Sequence, residues 1–137
     1  MEKSDCLFFS YPKKTEAVPL LREDLRRELA IWELSQKTVN DCCFILIELF
    51  TNFIRHSESP DDSLYKIEIR KEKELCFEIS YQDRSFHFPE VVKPELEDFP
   101  TNGFGLYMVH RMAHDIQYQY RERDASVSLR LALDTGR

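Results

Sequence analysis

Glycine is almost missing from this chain: three residues in 137, at Gly103, Gly105 and Gly136. So little glycine excludes collagen-like and glycine-rich low-complexity architectures and leaves few places where the backbone can turn left-handed freely. The four cysteines, Cys6, Cys42, Cys43 and Cys76, never take the C-x-x-C spacing of a zinc ribbon or a redox motif. Cys42 and Cys43 are neighbours on a reading of helix, so they point about 100° apart and chelate poorly. Free thiols in a reducing cytoplasm are the expectation. Apolar runs long enough for a membrane span are lacking, and Met1–Asp5 does not open a secretory signal. An excess of basic charge is lacking too. Nineteen Lys and Arg against twenty-five Asp and Glu give a net charge of -6, which argues against direct nucleic-acid binding.

What remains is the composition of a folded soluble domain, with 42% hydrophobic, 32% charged and 12% aromatic residues. No repeat or Pro/Gly/Ser linker divides residues 1–137, so a single domain is expected. Leu7–Tyr11 reads as a short strand closed by Pro12. Val18, Leu21, Leu25, Leu29 and Trp32 recur at spacings of three and four, which predicts an amphipathic helix. A second helix, capped by Ser35 or Thr38 and running to about His56, carries the stripe Val39, Cys43, Leu46, Phe50 and Phe53.

The period then changes from 3.6 to 2. Tyr65, Ile67 and Ile69 alternate with charged residues, and Leu75, Phe77, Ile79 and Tyr81 follow a polar turn. Ile116, Tyr118 and Tyr120, then Val127, Leu129, Leu131 and Leu133, form a second such pair. A short helix from Gly105 to His114 precedes it. One apolar face per strand predicts an α/β (α+β) two-layer sandwich, with a mostly antiparallel mixed sheet and helices on one face only. Residues 83–104 show no period, hold an acidic run from Glu95 to Asp98, and read as a lid.

Three constellations carry chemistry. At 100° per residue Glu48, Asn52, Arg55 and His56 fall within about 100° on the second helix, beside its apolar stripe. They form either a solvated polar face or a site. Asn102-Gly103-Phe104-Gly105-Leu106 opens a helix, where paired glycines let the backbone approach an anion at the positive dipole end. An ordinary glycine turn is the alternative. Asp83, just past a strand, is either a turn-former or an acceptor for a ligand's exocyclic amine. His110 and His114, at i,i+4 spacing on the short helix, read as a surface pair.

In this order the pieces resemble the histidine-kinase-like (GHKL) ATPases, whose architecture is the Bergerat fold. Glu48-Leu49-Phe50-Thr51-Asn52-Phe53-Ile54-Arg55-His56 is similar to their N box, Asp83 stands where the first glycine box begins, and Gly103–Val109 is similar to the second. Within that family the short domain most resembles the RsbW-type anti-sigma-factor serine kinases. The resemblance implies that Glu48 is the general base and that Asn52 offers its amide oxygen to Mg²⁺. It also implies that Arg55 and His56 lie near the phosphates and that Asp83 binds the adenine amine. Gly103, Gly105 and Leu106 would shape the phosphate end of the lid, and Ser126 would stand where these kinases carry a threonine near adenine. The implied reaction transfers the γ-phosphate of ATP to a serine of a STAS-type anti-sigma-factor antagonist. The implied partners are that antagonist, a sigma factor and a second copy of the chain, in the cytoplasm. The first glycine box, normally D-x-G-x-G, is here Asp83-Arg84-Ser85-Phe86-His87. His87 is therefore expected to crowd the hinge. The rival reading is a catalytically silent module of the same fold that sequesters a partner without ATP.

Overall fold

The computed structural model describes residues 5–83, 85–87 and 104–133. Strand β1 spans Cys6–Pro12 and leads through a 3₁₀ turn, Thr15–Ala17, into α1, Val18–Leu29. Pro19 in the first turn of α1 forfeits no intrahelical hydrogen bond there. The predicted stripe is the buried one: Leu21, Leu25 and Leu29 are inaccessible, and Trp32 follows in a second 3₁₀ turn, Ala30–Trp32. Glu33 closes that turn at φ 52°, a left-handed position taken without glycine.

Helix α2, Gln36–His56, begins where Ser35 accepts the Thr38 N–H at 3.1 Å. Its buried face is wider than the predicted stripe. Cys42, Ile45 and Leu49 are also enclosed, because α2 is covered by the sheet on one side and by α1 and α3 (Phe104–Met112) on others.

Strands β2 (Leu64–Lys71), β3 (Glu74–Tyr81), β4 (His114–Tyr120) and β5 (Ala125–Ala132) join β1 in one sheet of order β1-β2-β3-β5-β4. Every pairing is antiparallel, so the described sheet has no parallel component. The register stacks Phe9, Ile67, Ile79 and Val127 across four strands on the helix side. Beneath α2 lies a block of rings. Phe50 stacks on Tyr65 at 4.5 Å and 2°, Phe53 meets Tyr81 at 5.0 Å, and Tyr65 Oη donates to the Leu46 carbonyl at 2.7 Å.

The junction between α3 and β4 departs from the sequence reading. The helix stops at Met112, and His114 opens β4, where Asp115 at φ 55° and a register shift make a bulge. His110 and His114 therefore do not share a helix face. His110 Nε2 bonds Tyr118 Oη at 2.8 Å, while His114 meets Glu74. On edge strand β4 only Ile116 packs against the core, and Tyr118 and Tyr120 remain exposed instead of completing the expected apolar face. Among the described residues no helix is long and apolar enough to cross a membrane.

Candidate functional site

The site forms where the C-terminal half of α2 meets the start of α3 and the loop after β3. Glu48 lies on α2, half-buried, and its carboxylate fills the space beside Gly105. A Cβ on Gly105 would collide with Glu48 Oε2 and the carboxyl carbon and press on Oε1. Glycine at this position lets α3 approach the Glu48 carboxylate where it now lies, and its φ is not unusual. Burial raises the Glu48 carboxyl above its ordinary value, and Arg55, two turns on, draws it part of the way back. A carboxylate held so, beside the first turn of α3, suits a proton acceptor.

Asn52, one turn beyond Glu48, is buried. Its Nδ2 donates to the Glu48 carbonyl at 2.9 Å. Since that carbonyl can only accept, the amide nitrogen is fixed against the helix and Oδ1 is turned outward. A hard oxygen presented beside a carboxylate fits an octahedral Mg²⁺. Arg55 and His56 are exposed at the end of the same helix. The helical period thus brings Glu48, Asn52, Arg55 and His56 to one patch, and the fold adds Gly105 from α3, while its neighbour Leu106 packs, partly buried, against the core.

Asp83 is more constrained than expected. Its Oδ2 accepts from Ser57 Oγ at 2.6 Å, and its Oδ1 accepts from the Ser85 N–H at 3.0 Å and from Ser85 Oγ at 2.7 Å. Burial works against its charge, but the bonds from Ser57 and Ser85, with Lys13 nearby, prevail and hold the carboxyl below the ordinary aspartate value. The Ser85 bonds make an Asx-type turn, and Phe86 anchors it by packing on Tyr81 at 5.1 Å and Phe53 at 5.6 Å.

Among the described residues Glu33 and Asp115 take positive φ and His87 does not, so His87 stands in place of a glycine without a left-handed backbone. His87 points outward, 6.2 Å from the Tyr120 ring, and does not crowd the described part of the hinge.

Two expectations fall elsewhere. Ser126 pairs with Ser80 on the sheet face turned away from α2; its neighbour Ala125, opposite Tyr81, occupies the helix side. The buried Ser126 hydroxyl is therefore not brought to Asp83 or Asn52. Gly103, and the lid apart from Asp83, Ser85–His87 and Phe104, lie outside the described residues.

Sequence reasoning missed Lys13. It is 5% exposed, donates to the carbonyls of Ser57 (3.1 Å) and Ser59, and sits 5.8 Å from the Phe53 ring centre. A lysine after a strand-ending proline carries no local sign of burial.

Comparison with known proteins agrees with this geometry. No curated protein matches the chain in sequence. Among solved structures, the RsbU and RsbW domains of a Mycobacterium tuberculosis protein superpose with a TM-score of 0.67 at 13% identity. That match covers 95% of this chain and 32% of the other, so the chain spans about a third of its neighbour's length and the likeness concerns the fold. Residues 11–131 match the family described as the histidine kinase-like ATPase domain. With the N-box patch, the α3 glycine and the antiparallel sandwich in the expected order, the chain belongs to the histidine kinase-like ATPase domain family.

Proposed function

We propose that this protein is an ATP-dependent anti-sigma-factor serine kinase, which transfers the γ-phosphate of ATP to a serine of a STAS-type antagonist and otherwise sequesters a sigma factor. One observation carries the reading: Glu48 and Asn52 lie one turn apart on α2 with Gly105 of α3 against the Glu48 carboxylate. In that role Glu48 takes the proton of the attacking serine hydroxyl. Asn52 Oδ1 would hold Mg²⁺, which when bound neutralises charge on the nucleotide phosphates. Arg55 and His56 face the phosphates, Gly103, Gly105 and Leu106 shape their end of the lid, and Asp83 accepts from the base. The RsbW-domain neighbour supports the choice of regulatory partners, and a cytoplasmic homodimer belongs to the same reading.

The rival, a silent sequestering module, draws on the filled hydrogen-bonding positions of Asp83. Incubation with labelled Mg·ATP and a STAS-type antagonist separates the two. Phosphoserine that forms with wild type and is lost in Glu48→Ala supports the kinase. Partner binding indifferent to nucleotide, with no transfer, supports the silent module.

A further inference from the structure

The end of α2 holds a hydrogen-bond chain that the roles above do not use. Ser57 caps the helix: its N–H bonds the Phe53 carbonyl at 3.0 Å, so its backbone is fixed. Its hydroxyl lies 2.6 Å from Asp83 Oδ2, 2.7 Å from Ser59 Oγ and 3.1 Å from the Ser59 N–H. A hydroxyl has one proton and two lone pairs. An ionised carboxylate only accepts, so the Ser57 proton goes to Asp83 and both Ser59 groups donate to Ser57. Lys13 clasps the carbonyls of Ser57 and Ser59 from behind and keeps this loop in place.

The same count applied to Asp83 is informative. A carboxylate offers about four acceptor positions. Ser85 fills both on Oδ1, and Ser57 fills one on Oδ2. Among the described residues one remains open, on the oxygen whose direction Ser57 sets. Such a site takes a single N–H donor and repels an oxo group.

We propose that Ser57 is a positioning residue for ligand selection: by occupying one lone pair of Asp83 Oδ2 it aims the last one at the exocyclic amine of the bound base. This rests on the nucleotide reading above. Burial opposes the ionisation of Asp83, and Ser57 from the α2 end, Ser85 from its own loop and Lys13 from the segment after β1 outweigh it.

The test compares ATP with inosine triphosphate, which carries an oxo group in place of the amine, in calorimetric titrations of wild type, Ser57→Ala and Ser57→Thr. Thermal melting checks that each variant is folded, and carboxyl-carbon NMR follows the Asp83 titration. Ser57→Ala should lower the preference for ATP about tenfold, in line with loss of a charge-assisted hydrogen bond. It should also raise the Asp83 midpoint, and Ser57→Thr should restore both. A purely structural cap would leave the ATP-to-inosine ratio and the Asp83 midpoint unmoved, and that result overturns the inference while nucleotide binding stands. Wild type that binds neither nucleotide overturns the nucleotide reading itself, and the inference with it.

Discussion

Replacing Gly105 with alanine sets stability and activity against each other. The added Cβ would overlap the Glu48 carboxyl group, which is the far end of a flexible side chain and can swing aside. Gly105 is the second residue of α3, so alanine there gains part of the roughly 0.8–1 kcal/mol by which it exceeds glycine in a helix. Displacing a half-buried carboxylate toward water also relieves its desolvation. The net effect on unfolding free energy should therefore lie within about 1 kcal/mol of zero. The catalytic effect is not small: a general base moved by an ångström or more costs on the order of 100-fold in rate. Chemical denaturation measures the first quantity and single-turnover cleavage of Mg·ATP the second. Carboxyl NMR adds a readout independent of activity, in which the Glu48 titration falls toward the ordinary glutamate value. In a Glu48→Ala background the obstacle is gone, so Gly105→Ala should add nothing further to the loss of rate. A variant destabilised by more than about 2 kcal/mol would show that the wall beside Gly105 is rigid. A folded variant with full activity would refute the placement of Glu48 as the base.

Three further outcomes follow from individual contacts. Glu48→Gln should be more stable than wild type at pH 7, because the raised carboxyl is buried charged there; the margin should vanish as pH falls below the ordinary value of 4.5, which denaturant melts across pH 4–8 would read. Asp83 behaves oppositely. Its lowered value means that its ionised form stabilises the fold above the ordinary 3.8, so the deficit of Asp83→Asn, full at pH 6, should close as acid protonates wild type. Lys13→Met removes two charged bonds from a buried ammonium to half-buried loop carbonyls, and equilibrium unfolding should show a loss of about 2–4 kcal/mol; a loss under 0.5 kcal/mol would mean that water replaces the ammonium.

The parts legible in the sequence are those written in a single period. The α2 face carrying Glu48 and Asn52 follows from 3.6-residue geometry, and the buried sides of β2, β3 and β5 follow from alternation. That alternation, applied strictly, also places Ser126 with Ser128 on the outer face, so its position was readable from Val127, Leu129 and Leu131. The α3–β4 boundary was not, since Asp115 enters a left-handed bulge that no glycine announces. Asp83 looked like a strand-end carboxylate. Beside the local bonds from Ser85, it takes a bond from Ser57, 26 residues away, and the charge of Lys13 in the segment after β1, and contacts across such distances leave no local pattern. The altered glycine box gave the opposite warning. Where glycines are expected the chain uses an Asx turn to Ser85 and a Phe86 anchor, and His87 takes no positive φ.

The central claim is that Glu48, Asn52 and Asp83 still form a working nucleotide site. Calorimetric titration of the purified protein with Mg·ATP and Mg·ADP tests it most directly, with Asn52→Ala and Asp83→Ala in parallel. The account predicts micromolar binding that both substitutions abolish. Heat-silent titrations up to millimolar nucleotide, from protein shown to be folded, would contradict it.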